Sequence, residues 1–195
     1  MKAFTRVILL VLLAAGSLAV GPNAVAQSDE KPKLTEEQKE AERNARLKLA
    51  ADGLERLYRI QPGARQAVEK AAGYAVFDVS AIYAILFVGQ QGKGVLFDNA
   101  TGKATYMLSA RAGTGPGFGR QRVYQIFVFK TRGAMEQFVL AGGTGGDVSA
   151  SVSTGTDGMV RSFNPEIDIY QVPESGMALQ ASWGGTVYSV DEQLR

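Results

Sequence analysis

From Gly73 onward glycine cuts the chain into short segments, and this change of texture constrains the fold more than any other feature. Nineteen of the 23 glycines lie at or after that position. Between them run β-branched and aromatic segments too short for helices, so the pattern predicts strands joined by tight turns. The expected strands are 74–79, 82–88, 94–98, 104–110, 123–129, 148–153, 166–171, 177–183 and 186–190, with turns at 89–92, 99–102, 155–158, 173–176 and 184–185. One helix interrupts them. Thr131 caps it, Met135, Phe138, Val139 and Leu140 supply its apolar side, and Gly142-Gly143 ends it.

Before Gly73 the period changes to that of helices. Thr35-Glu36-Glu37-Gln38 fits a capping box, with both acids at the positive end of the helix dipole. Leu47, Ala50, Leu54, Leu57 and Tyr58 form an apolar stripe bordered by Arg43, Arg46, Lys48, Arg56 and Arg59. Pro62-Gly63 stops this helix, and Ala64, Ala67, Val68 and Ala71 mark a shorter second one. Strand 148–153 alternates apolar with serine, so one of its faces is wet, whereas 82–88 and 126–129 are unbroken apolar runs that need cover on both faces. The helices are the available cover. The expected class is α+β: N-terminal helices and one inserted helix packed on a largely antiparallel, curved, glycine-rich β-sheet.

The first residues read as a processing signal. Lys2 and Arg6 precede an apolar stretch at 7–20, shorter than the ~20 residues of a membrane span, and Ala24-Val25-Ala26 is an A-x-A cleavage site. The organisation expected is therefore a signal peptide at 1–26, a flexible leader at 27–34 and a single domain at 35–195. Removal of the first 26 residues takes two bases and no acid, which balances the 21 Lys and Arg against the 19 Asp and Glu. A globally basic, nucleic-acid-binding surface is thereby excluded. Export points to a periplasmic location, with possible peripheral contact to a membrane.

Chemistry is sparse. The chain has no His and no Cys, which removes Ser-His-Asp triads, Cys-His pairs, imidazole proton shuttles, zinc ribbons and disulfides. Ser28-Asp29-Glu30-Lys31 matches S-x-x-K but sits in the leader, where no pocket forms. Glu166 and Asp168 share a strand face and read as wet carboxylates. Asp157 belongs to a turn without a calcium-ligand series, and Asn99-Ala100-Thr101 is a formal glycosylation sequon. Neither a catalytic residue, a metal nor a cofactor is expected.

One constellation stands out. Gly113-Thr114-Gly115-Pro116-Gly117-Phe118-Gly119 meets neither nucleotide fingerprint, yet no acid occurs between Asp98 and Glu136, while Lys103, Arg111, Arg120, Arg122, Lys130 and Arg132 are all basic. If 104–110 pairs with 123–129, then Arg111, Arg120 and Arg122 meet at a glycine-loop tip, and Lys103, Lys130 and Arg132 gather about 20 to 25 Å away at ~3.3 Å per residue. Guanidiniums beside the exposed amides of Gly113, Gly115, Gly117 and Gly119 would hold a phosphate. Arg56 and Arg59 on the first helix extend this candidate anion or lipid site. The competing reading is a solvated strand rim balanced by the acidic C-terminal part.

Several segments in order resemble the SYLF lipid-binding domain family: Gly73-Tyr74-Ala75-Val76-Phe77, Gly92-Lys93-Gly94-Val95, the glycine-rich 113–121, Gly146-Asp147-Val148-Ser149-Ala150, and Ser175-Gly176-Met177-Ala178 with Gly185-Thr186-Val187 and Asp191. The resemblance spans roughly 47–195. It implies a module that binds anionic lipid or a membrane surface through a basic surface and an amphipathic N-terminal helix; the actin partner of eukaryotic members is implausible for an exported bacterial protein. Asp78 stands where the family usually has Pro, and Ser80-Ala81-Ile82-Tyr83-Ala84 replaces a glycine-rich segment. Two other readings remain: a small outer-membrane β-barrel, and an enzyme that uses carboxylates alone.

Overall fold

The computed structural model of the chain describes residues 33–143, 159–160, 164–174 and 183–195. The chain divides into two units, residues 1–32 and 33–195, and every described residue belongs to the second. The expected signal peptide, nearly all of the leader, strand 148–153, the turn at 155–158 and most of strand 177–183 lie outside the described residues.

Helix α1 spans Glu36–Ile60, α2 Ala64–Lys70 and α3 Arg132–Gly143. The capping box forms: Gln38 N donates to Thr35 Oγ1 at 3.2 Å and Thr35 N to Gln38 Oε1 at 2.9 Å. Thr131 Oγ1 likewise accepts from Ala134 N at 3.2 Å to open α3. The strands are β1 Gly73–Asp98, β2 Ala104–Phe129, β3 Met159–Val160, β4 Ile167–Pro173 and β5 Trp183–Val190. All pairings are antiparallel, in the order β1-β2-β4-β3, with β5 also on β2. The fold is α+β, helices on an antiparallel sheet.

The strand boundaries differ from expectation. Segments 74–79, 82–88 and 94–98 are one strand of 26 residues, and 104–110 and 123–129 are the ends of another. Neither 89–92 nor 113–119 is a turn, and Gly184-Gly185 lies within β5. A straight 26-residue ribbon would run about 85 Å, against a radius of gyration near 15 Å for a domain this size, so it must fold back. It does so at a bulge, where the register jumps from Ile85↔Gly117 to Phe87↔Thr114. Pro116, which has no N–H for a ladder, falls in that break, and Ile85 takes a left-handed φ of 59°. The ends of β1 then meet. Tyr74 stacks on Phe97 with ring centroids 5.0 Å apart, and Asn99 N donates to Ala72 O at 3.0 Å. The Asn99 side-chain amide also donates to the carbonyls of Val68 and Ala71, so this sequon residue closes the turn after α2. The close approach needs glycine: a Cβ on Gly94 would overlap the Phe77 ring, and one on Gly73 would strike the Phe97 carbonyl.

A core forms on each face. On one, Phe77, Leu96, Met107, Phe127 and Phe129 surround Phe138 of α3 and Tyr188 of β5. On the other, Val76, Val95, Tyr124, Ile126, Val128 and Tyr170 meet Ala50 and Leu57 of α1 and Val68 of α2. Run 126–129 is therefore covered on both sides, as its unbroken apolarity predicts. Run 82–88 is not. It occupies the bend, where Ile82, Ile85, Leu86 and Phe87 are 52, 74, 64 and 74% exposed, and only Tyr83 and Val88 join Ala81 in a small buried cluster.

The apolar stripe of α1 is also rephased. Its buried residues are Arg46, Ala50, Gly53 and Leu57, while Leu47 is partly exposed. Arg46 tolerates burial because every direction finds an acceptor. Its Nη1 donates to Gly94 O and Met107 O at 3.2 and 2.9 Å, its Nη2 to Asp191 at 2.9 Å and its Nε to Glu42 at 2.9 Å. Arg43 adds a bond to Leu194 O at 3.0 Å. Helix α1 is thus fastened to the sheet and to the C-terminal turn.

Candidate functional site

The three arginines of β2 occupy positions fixed by its pairing with β1: Arg122 opposite Ser80, Arg120 opposite Ile82 and Arg111 opposite Gln90. They do not meet at the tip of a glycine loop, because 104–110 and 123–129 pair with different parts of β1 and not with each other. Gly113, Gly117 and Gly119 sit in the ladder opposite Val88, Ile85 and Tyr83, and Gly115 falls in the bulge. No phosphate cradle of free amides results; the glycines instead let the ribbon bend, and Gly119 does so at a φ of 126°.

Arg120 and Arg122 nevertheless share a groove of about 560 Å³, lined also by Ser80, Ile82, Gln91 and Glu174. Arg122 is held there. Its Nε donates to Asp78 Oδ1 at 2.7 Å, its Nη2 bonds the second oxygen of the same carboxylate, and Nη1 reaches Glu174 at 3.4 Å. The bidentate Asp78 bond holds the Arg122 guanidinium well above its usual pKa. Arg56 approaches the same carboxylate-bearing residue from α1, donating to Glu174 O at 3.3 Å with its guanidinium 5.4 Å from the Tyr124 ring centre. Arg120 differs: it is exposed, and among the described residues no carboxylate pairs with it. Three cations thus face two carboxylates around this groove; both carboxylates bond Arg122, Arg56 reaches only a backbone carbonyl, and Arg120 is the exposed cation left without a carboxylate among the described residues.

The remaining basic residues are elsewhere. Arg111 is half-buried near Tyr83, whose hydroxyl donates to Gln121 Oε1 at 3.2 Å. Burial pushes the Tyr83 phenol up, and the Arg111 charge opposes that push. Arg59 pairs with Glu55 at 3.1 Å, Lys130 with Asp168 at 2.8 Å, and Arg132 with Asp98 and Glu136 at 3.1 Å each. Lys103 and Arg132 do come together, because the folded ribbon brings its hairpin turn back to α3; they line a cavity of about 360 Å³ with Leu96, Met135 and Val139. Glu166 accepts from Thr131 Oγ1 at 3.1 Å, so it and Asp168 serve separate contacts rather than one catalytic pair. No group of three or more acidic residues converges as a metal site among the described residues.

The chain is similar to Beta cell expansion factor A of Aeromonas veronii. The two are 33% identical over 147 residues, 75% of this chain and 56% of that protein. The chain therefore spans a little over half the length of this curated relative. No protein-family model matches the chain.

The reading of the sequence missed the apolar residues of the bend. Their signal was present: 82–88 is an unbroken apolar run, and the segment it pairs with, 113–119, is mostly glycine and offers almost no side-chain volume to bury it.

Proposed function

We propose that the chain is a non-catalytic, exported module of the SYLF type that binds anionic lipid at a membrane surface. The observation that carries this reading is Arg120: an exposed guanidinium without a carboxylate partner among the described residues, in a groove beside two further arginines. The ribbon around it holds no acid from residue 79 to 97 or from 99 to 135, so the local field is positive even though the mature chain is neutral. The ordered SYLF-like segments support the same reading. Helix α1 takes a smaller part than the resemblance implies, because its face is used against the sheet and only Arg56 comes to the groove. A barrel reading is disfavoured by helices covering both faces of the sheet, and a carboxylate enzyme by the separate contacts of Glu166, which accepts from Thr131, and Asp168, which pairs with Lys130. None of the described helices is long and apolar enough to cross a membrane.

Flotation with phosphatidylcholine vesicles, with and without phosphatidylglycerol, tests the proposal. Recovery should require the anionic lipid and fall with added salt. Equal recovery with both vesicles, or none with either, refutes it.

A further inference from the structure

The bend of the ribbon carries the most unusual surface of the molecule. Phe118, paired with Ala84, is 87% exposed, and Ile82, Ile85, Leu86 and Phe87 on the facing strand are 52 to 74% exposed, so five large apolar side chains lie open to solvent within one bend. Large apolar side chains this exposed and this close mark an interaction surface. The backbone is distorted to present them, since a β-branched residue at φ 59° is disfavoured unless its surroundings impose it. Ile82 also lines the groove that holds Arg120 and Arg122, so the apolar tip runs directly into a cationic rim.

We infer that this tip inserts into the apolar layer of a lipid bilayer while Arg120 stays at the level of the anionic headgroups. The inference rests on the membrane reading above and adds the inserting element. Three features select a bilayer over a protein partner. The patch is aliphatic and phenyl with no polar side chain of its own, which suits hydrocarbon. Its rim carries Arg120, which has no carboxylate partner among the described residues, and the strands around the bend hold no acid from residue 79 to 97 or from 104 to 129, complementary to an anionic surface. A second copy fits poorly, because a two-fold contact sets each patch against itself and would bring Arg120 against its own like charge.

The absence of cysteine lets one label report the site. A Leu86→Cys protein carrying an environment-sensitive fluorophore is mixed with phosphatidylcholine–phosphatidylglycerol vesicles containing spin labels on the acyl chains or on the headgroups. Insertion predicts a blue shift and quenching by the acyl-chain spin label. The same fluorophore at Glu55→Cys, on the exposed side of α1, should remain unquenched. In parallel, the unlabelled double variant Leu86→Ser, Phe87→Ser should bind these vesicles roughly a hundredfold more weakly, with an unchanged melting temperature because both side chains are exposed. Salt-sensitive binding with an unquenched tip label overturns insertion and leaves the electrostatic reading intact. Quenching that persists on phosphatidylcholine alone does the reverse. A dimer in sedimentation equilibrium that the double serine variant dissolves overturns the bilayer as occupant.

Discussion

Arg46→Ala removes the one fully buried charge of α1 and tests what fixes this helix. The guanidinium is 2% exposed and makes four contacts at 2.9 to 3.2 Å: Glu42, Asp191, and the carbonyls of Gly94 and Met107. Truncation leaves Asp191, whose side chain is 11% exposed, with one weak donor, Gln193 N at 3.3 Å, and takes a donor from two sheet carbonyls. Breaking one side of a buried pair costs about 3 to 5 kcal/mol, a large share of the ~5 to 15 kcal/mol typical of a whole domain. Urea denaturation should show that loss, and thermal melting a drop of roughly 10 to 15 °C. In a cycle with Asp191→Ala the double variant should lose about 2 kcal/mol less than the sum of the singles. Arg46→Met with Asp191→Leu, which fills the site with apolar volume, should recover much of the stability. Vesicle binding of Arg46→Ala, measured where it is still folded, should match the parent. A loss under about 1 kcal/mol, or additive single variants, would falsify the claim that this pair fastens α1.

Two further outcomes follow from the same geometry. Ile85→Gly relieves the left-handed strain at the bulge and should stabilise the fold by about 1 kcal/mol in urea denaturation; a loss of stability would show that the side chain is held by contacts and not tolerated despite strain. Glu42→Gln should flatten the acid limb of the stability curve. Burial raises the Glu42 pKa, but hydrogen bonds from Lys93 and Arg46 outweigh it and leave the carboxyl below its usual value near 4.5. A depressed folded-state pKa gives stability that is present above that value and lost as pH falls through it. Melting temperatures of parent and variant should therefore converge below pH 4.5, and parallel curves would contradict the assignment.

Much of the architecture was legible because it depends on local chemistry. The capping box at Thr35, the Thr131 cap of α3 and the doubly covered run at 126–129 each follow from a few neighbouring residues. The errors come from facts that lie far away in sequence. Glycines at 89–92 read as a turn and those at 113–119 as a loop, but in two strands paired along nearly their whole length they permit bending and close approach, as at Gly92, where a Cβ would strike Ser109 Oγ. Apolar continuity at 82–88 says that burial would be favourable, not that a covering element is present. Arg46 looked like the border of a stripe, since its acceptors at Gly94, Met107 and Asp191 lie 48, 61 and 145 positions away. Of the candidate site, the shared groove of Arg120 and Arg122 follows from their two-residue spacing on one strand. The neutralising partners Asp78 and Glu174 became evident only from the register and from the end of β4.

Charge reversal at Arg120 tests the membrane reading most directly. A basic residue near an anionic surface contributes about 1 kcal/mol, so Arg120→Glu changes binding by about 2 kcal/mol, roughly thirtyfold. Affinity for phosphatidylcholine–phosphatidylglycerol vesicles at low salt should fall by that factor, while Lys48→Glu, the same reversal at an exposed position on α1, stays within a few-fold of the parent. Equal losses in the two variants would mean that net charge rather than the groove governs binding, and no loss in either would contradict the account.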